Sequence, residues 1–128
     1  MSHYGYSKQF NIPFEEAVEK TIEALKKEGF GVLTDIDVKK TLKEKINVDF
    51  KQYRILGACN PKLAHKALQG EEEIGLLLPC NVIVYKKDEG VVVSALRPTA
   101  LFALVDNPDV ESLAEEVEVI MRHVIDSL

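Results

Sequence analysis

The chain has 128 residues, the size of one domain, and is long enough to bury a core without disulfides or metal ions. Hydrophobic residues make up 46% and charged residues 29%, with 7 Gly and 5 Pro, a composition that excludes disordered, collagen-like and low-complexity proteins. The 16 Lys and Arg against 21 Asp and Glu give a net charge of −5, which disfavours nucleic acid as a partner.

Targeting and membrane signals are weak throughout the sequence. Met1 to Tyr6 contains no basic stretch followed by an apolar core, so we expect no secretion or transit signal. The longest apolar tract, Ile74 to Tyr85, is too short to span a bilayer and contains Pro79 and Asn81. We therefore expect a cytoplasmic protein without a membrane segment, whose two cysteines are free thiols in a reducing compartment.

The N-terminal part of the chain predicts a strand followed by a long helix. Tyr4 to Phe10 alternates between apolar and polar side chains, as in a half-buried strand. Pro13 suits the first turn of a helix, and Gly29 suits its C-terminal end. The apolar residues between them recur at the spacing of an amphipathic helix: Phe14, Ala17, Val18, Ile22 and Leu25.

A second strand and a short helix come next. Phe30 to Asp37 predicts a strand with three apolar side chains on one face, which are Phe30, Val32 and Ile36. Val38 to Ile46 predicts a short helix whose N-terminus Asp37 caps. We expect Leu42 and Ile46 of this helix to face inward.

The middle of the chain predicts a strand, a helix and a hairpin. The strand is Tyr53 to Cys59, and Asn60-Pro61 then provides an N-cap and a first helical residue. The short helix that they open is expected to end at Gly70. Two further strands, Gly75 to Tyr85 and Gly90 to Leu96, predict a hairpin.

Asn107-Pro108 opens a long final helix, so the predicted order is strand, helix, four strands, helix, with two short helices inserted between strands. This order predicts one α+β domain over residues 1–128, a two-layer sandwich with two long helices on one face of an antiparallel sheet. The strand Gly75 to Tyr85 is apolar on both faces, unlike a strand with water on one side. We expect a second copy in a homodimer to cover the other face, or else the inserted segments or an apolar ligand.

Four short motifs resemble the domain of unknown function 302 family. They are Asp35 to Val38, Leu42 to Lys45, Gly57-Ala58-Cys59-Asn60-Pro61 and Gly75 to Val82, and the last two each contain a Cys-Asn pair. The resemblance extends from Phe14 to Val124. It implies a two-layer α+β fold similar to that of the TATA-binding protein, and it implies dimers. It implies no activity, and we expect no cofactor.

The two cysteines are the main candidates for chemistry. Cys59 precedes a predicted helix N-terminus, where free backbone N–H groups favour a thiolate, although most free cysteines are simply buried apolar residues. Cys80 follows Pro79 in an apolar strand, and core packing is the simpler interpretation there as well. If the two strands are neighbours, the thiols could form a reversible switch, but their spacing matches no redox motif.

Other titratable residues give weaker signals. Asp35 and Asp37 share one strand face and could pair for acid–base work, but an exposed face that ends in a helix cap is the simpler interpretation. The lysines around Lys45 suit a phosphate-bearing ligand or an ordinary solvated face. We expect no metal site, since the ligand spacing fits no zinc pattern; the weak candidates are His3, His65 and His123.

Our leading hypothesis is a cytosolic homodimeric binding module, in which the apolar sheet face and the Cys-Asn loops frame a pocket for a small ligand or a partner. The candidate ligand-binding residues are Asp37, Lys45, Cys59, Asn60, Pro61, Pro79, Cys80 and Asn81. The alternative is a thiol-dependent redox sensor or enzyme, with Cys59 as the nucleophile and Cys80 as the resolving or supporting thiol.

Overall fold

The structure is a computed structural model that describes residues 2–128. One antiparallel sheet contains five strands: β1 Gly5–Phe10, β2 Gly31–Asp37, β3 Tyr53–Cys59, β4 Cys80–Lys87 and β5 Gly90–Leu96. The strand order across the sheet is β1-β5-β4-β3-β2, so β1 and β2 form the edges and β4 lies in the middle. The predicted antiparallel sheet of an α+β fold is confirmed.

Three of the helices lie between strands, and two follow β5. The four predicted helices appear in the predicted order, and one additional short helix precedes the last of them. The helices are α1 Phe14–Lys27, α2 Val38–Ile46, α3 Pro61–Gly70, α4 Pro98–Leu101 and α5 Pro108–Asp126, with two short 3-10 turns, Glu72–Leu77 and Phe102–Leu104. The two long helices, α1 and α5, pack together on one face of the sheet. Across residues 2–128, no helix is both long enough and apolar enough to cross a lipid bilayer.

The helix ends follow the predicted capping residues. The side chains of Asp37, Asn60 and Asn107 each accept hydrogen bonds from backbone N–H groups in the first turns of α2, α3 and α5. At the end of α1, Gly29 adopts a φ of 81°, and the backbone N–H of Phe30 donates to the carbonyl of Leu25. This left-handed ending turns the chain directly into β2.

The interior contains two separate hydrophobic clusters. The larger one joins α1, the C-terminal half of α5 and the helix-facing side of the sheet, and includes Leu25, Leu56, Val82, Val93 and Ile125. The smaller one lies beyond the end of the sheet, and its buried members are Ala67, Ile74, Phe102, Val110 and Ala114. The helix α5 contributes residues to both clusters and therefore connects them.

Two details of the predicted strands are wrong. The strand predicted from Gly75 begins only at Cys80, because Glu72–Leu77 forms a 3-10 turn and Pro79 has no N–H to donate to the sheet. In β2, a bulge between Val32 and Thr34 shifts the register. Ile36 therefore lies on the opposite face from Val32 and is 47% exposed.

The predicted inward orientation of α2 is also wrong. This helix buries no residue, and Ile46 is 63% exposed. It crosses between β2 and β3 at the surface and lies against these two strands, while Lys39 and Lys43 donate hydrogen bonds to Phe50 and Asp49 of the following loop. Its ends are instead fixed by hydrogen bonds, by the Asp37 cap and by Asn47, which has a left-handed conformation at the C-terminal end.

Neither long helix covers the opposite side of the sheet, which we call the back face. Its central residues are half-buried, among them Ile55, Ile83 and Tyr85, and the rings of Tyr53 and Tyr85 stack at 5.4 Å. Polar groups interrupt it, since the Ser7 and Ser94 hydroxyls form a 2.7 Å hydrogen bond and Asn81 is exposed. The back face is therefore mixed in polarity and less apolar than the sequence predicts.

A buried carboxylate fixes the segment before α5. Glu118 is 7% exposed and accepts hydrogen bonds from the backbone N–H and hydroxyl of Thr99, from Arg97 and from Arg122. Burial alone would raise the pKa of Glu118, but the hydrogen bonds from Thr99, Arg122 and Arg97 outweigh it and lower the pKa. The charged form of Glu118 therefore holds α4 against α5.

We expect Glu118→Gln to lower the free energy of unfolding by about 2 kcal/mol at pH 7, since several hydrogen bonds to a charged acceptor are weakened. Because folding lowers this pKa, the stabilisation is complete above the pKa of the unfolded chain, about 4.3, and is lost as the pH falls through the folded value. Urea unfolding at several pH values measures it, with the exposed Glu116→Gln on the same helix as the control. A difference that stays constant from pH 7 to pH 3 would contradict this role.

Candidate functional site

A cavity of about 340 Å³ opens at the end of the sheet where β3 stops and β4 starts. The sheet forms its floor through Ala58 and Cys80, and α3 covers it from above through Leu63 and Ala64. The remaining walls come from α5, from the 3-10 turn that contains Phe102, and from the start of β2. The cavity therefore lies between the two hydrophobic clusters, on the helix side of the sheet and not on the back face.

Small side chains create this space. Ala58 on β3 faces the cavity, and Ala64 and Ala67 on α3 are three positions apart, so both point to the same side of the helix. Larger residues at these three positions would bring apolar atoms into the gap between the clusters. The mouth of the cavity lies at the β2 bulge. Leu33 and Thr34 line it there, and Leu33 is 71% exposed.

The cavity is apolar and carries no fixed charge. None of its lining residues is Asp, Glu, Lys, Arg or His. Apart from the two thiols, the only polar side chains that line it are those of Thr34 and Asn60. Both are exposed or half-buried, whereas Phe30, Cys80 and Phe102 are buried. The site thus has an apolar interior with polar groups at the mouth.

The two cysteines lie on adjacent strands and both line the cavity. Ala58 is directly opposite Cys80 in the ladder between β3 and β4, and Cys59 is the next residue along β3. Both are free thiols; Cys80 is 7% exposed, and Cys59 is half-buried. Burial, and secondarily the proximity of Cys59, raises the pKa of Cys80 to about 11. Cys80 is thus a protonated core thiol at neutral pH.

The residues around Cys59 are held by close packing. A side chain at Gly57 would collide with the Thr34 hydroxyl, and its Cβ would lie 2.8 Å from Cγ of Pro79. Glycine is therefore needed where β2, β3 and the start of β4 come together. Pro79, preceded by a cis peptide bond, lines the cavity next to Cys80.

The structure brings together half of the predicted ligand-binding residues. Cys59, Asn60, Pro79 and Cys80 line the cavity. The other four lie elsewhere, because Asp37 caps α2, Lys45 is exposed on α2, Pro61 is exposed at the start of α3 and Asn81 is exposed on the back face. The apolar wall was missed because Phe102 and its neighbours lie between the last predicted strand and the last predicted helix, where the sequence analysis predicts no element.

Two further candidates, Asp35 and His123, pair with side chains outside the cavity. Asp35 forms a two-point ion pair with Arg54, whose hydrogen bond lowers the pKa of Asp35, and Arg54 also reaches Glu15 of α1. His123 pairs with Glu28 at 3.1 Å. Within residues 2–128, no group of three or more metal-ligating side chains comes together.

Comparison with known families assigns the chain. The model of the family described as "Domain of unknown function DUF302" matches residues 6–128. The chain belongs to this family. A solved structure, an uncharacterised conserved DUF302 protein from Bacillus stearothermophilus, is similar with a TM-score of 0.91 and 30% sequence identity over 98% of each chain. No curated protein matches the sequence. The family resemblance predicted from the two Cys-Asn motifs is confirmed.

We expect the two thiols of this DUF302 protein to react at very different rates. With a pKa of about 11, only about one Cys80 side chain in a thousand is a thiolate at pH 8, and its burial blocks access as well. Titration of the native protein with a chromogenic disulfide reagent should therefore show one fast thiol, which Cys59→Ser removes and Cys80→Ser retains. The second thiol should react only in denaturant. Equal rates for both thiols in the folded protein would contradict the burial of Cys80.

Proposed function

We propose that the protein is a homodimeric binding module whose cavity takes a small, neutral and mainly apolar molecule. The observation that carries this proposal is the uncharged apolar lining of a cavity of about 340 Å³. Ligand pockets in proteins start at about 300 Å³ and are mostly apolar with a few polar groups. A cavity of about 150 Å³ in an apolar core holds benzene, so this one accommodates about two fused rings.

The lining also selects against charged ligands. A buried ion needs an opposite charge or several hydrogen bonds, and the lining residues offer no opposite charge. A neutral apolar ligand would instead restore the packing contacts that the gap between the clusters lacks, since protein interiors are otherwise close-packed. This favours a hydrophobic metabolite or a similar neutral compound over a nucleotide or an organic acid.

We expect the protein to bind naphthalene, and we expect Ala64→Leu to abolish this binding because the added atoms occupy the cavity. Isothermal titration calorimetry measures the affinity, and thermal unfolding shows whether the variant remains folded. Ala103→Leu is the matched control, because Ala103 is exposed and does not line the cavity. Binding that survives in Ala64→Leu, or that the control also abolishes, would contradict the location of the site.

The homodimer is proposed from the back face. Ile36, Ile55, Ile83 and Leu96 lie on the side of the sheet that the long helices leave uncovered, together with the Tyr53–Tyr85 ring stack. Partly exposed apolar side chains favour association even on a face of mixed polarity, and a two-fold axis lets two copies of one surface cover each other.

We expect sedimentation velocity to give twice the monomer mass for the wild-type protein. Ile83→Asp places a charge at the centre of the back face and should shift the protein to monomer. Val119→Asp is the control, since Val119 is 69% exposed on the outer side of α5. A wild-type monomer at micromolar concentration, or a dimer that Ile83→Asp leaves intact, would contradict this interface.

A thiol-dependent activity is the second candidate. It is favoured by the position of Cys59 and Cys80 in the same cavity on adjacent strands. The raised pKa of Cys80 makes Cys59 the attacking thiol in any such reaction. Free thiols at both positions also suit the reducing, cytoplasmic setting proposed for the protein.

A further inference from the structure

Asn60 is the one amide side chain that lines the cavity, and the capping of α3 fixes its orientation. The backbone N–H groups of Lys62 and Leu63 lie 3.1 Å and 3.2 Å from its Oδ1. A backbone N–H can only donate, so the atom that it meets must be the amide oxygen. The amide nitrogen of Asn60 therefore takes no part in capping the helix.

The amide nitrogen of Asn60 lies beside the turn that leads into β2. A Cβ atom at Gly29 would be 3.1 Å from Nδ2, so the glycine at this position leaves room around the nitrogen. Among the side-chain hydrogen bonds of residues 2–128, Nδ2 donates none, whereas Oδ1 accepts two. Asn60 is half-buried, at the boundary between the apolar interior and solvent.

We propose that Nδ2 of Asn60 is the directional donor of the ligand site, and that the ligand is a neutral fused-ring compound with a carbonyl or similar acceptor at one end. This inference rests on the proposed function. The rings occupy the apolar interior between Ala58, Cys80 and Phe102, and the acceptor oxygen remains at the mouth, where Nδ2 donates to it. One residue thus both starts α3 and orients the ligand.

Two variants separate these two roles. In Asn60→Asp the side chain still caps α3, since Asp is as good an N-cap as Asn, but the donor is replaced by an acceptor. In Asn60→Ser the hydroxyl also caps the helix, no charge is added, and the amide is gone. Both variants should therefore keep the thermal stability of the wild-type protein to within a few degrees, which thermal unfolding checks.

The probes are 2-acetylnaphthalene, which carries an acceptor oxygen, and 2-isopropylnaphthalene, which has nearly the same shape without one. By calorimetry we expect both variants to bind the ketone about fivefold to tenfold more weakly than the wild type does, the size of one hydrogen bond. The hydrocarbon should bind the wild type and both variants within about twofold. The ketone-specific loss measures the contact, because effects common to both probes cancel.

The outcomes distinguish the two levels of the proposal. If neither probe binds the wild-type protein, the proposed function fails. If both probes bind but the variants weaken them equally or not at all, the role of Asn60 is overturned while the binding module stands. A measurement on the wild type alone adds a readout that needs no variant: the ketone, and not the hydrocarbon, should shift the side-chain amide resonance of Asn60 in a ¹H–¹⁵N spectrum. An unchanged resonance with bound ketone also overturns the role.

Discussion

The architecture of the cavity depends on how α5 connects two hydrophobic clusters that do not merge. Val117 and Met121 pack in the larger cluster, and Ala114 and Val110, about one and two turns before Val117, pack in the smaller one. A helix is a rigid element over this length, so it sets the distance between the clusters. The space between them then depends on the side chains that face it, and on α3 and β3 three of these are alanines, Ala58, Ala64 and Ala67.

In the same region, residues that stabilise the fold also shape the cavity. Glu118 holds Thr99 and so positions the segment that brings Phe102 to the cavity wall. Asn60 holds the first turn of α3, and Gly57 lets β2, β3 and Pro79 come into contact. A motif such as Gly-Ala-Cys-Asn-Pro therefore has a structural explanation at each position. Its glycine lets the strands approach, its alanine and asparagine line the cavity, its cysteine supplies a half-buried thiol, and its proline begins α3.

Much of the architecture follows from local sequence signals. The strand and helix order, the three Asp and Asn caps and the left-handed Gly29 were predictable because each depends on neighbouring residues. The family could also be predicted, from its paired Cys-Asn motifs. The β2 bulge was not predictable, since alternation alone places Ile36 beside Val32, and only the pairing with β3 shows the extra residue.

The candidate site was predictable only in part, for a related reason. Asn60, Pro79 and both cysteines were selected from motifs. The cavity that they line lies under α3, whereas the sequence pattern pointed to the uncovered face of the sheet. The residues that form its walls, such as Phe30 and Phe102, are distant in sequence. A cavity forms where such side chains leave space between them in the folded protein. No periodicity in one segment encodes such a gap, although small residues at Ala64 and Ala67 are a signal worth using.

A crystal structure determined under xenon pressure would show whether the cavity beneath α3 is preformed, because xenon enters such apolar cavities and needs no polar contact. We expect a xenon site between Ala58, Cys80 and Phe102, with the surrounding side chains unmoved. A structure in which the side chain of Phe102 or Leu78 fills this space, and no xenon binds beneath α3, would contradict this expectation.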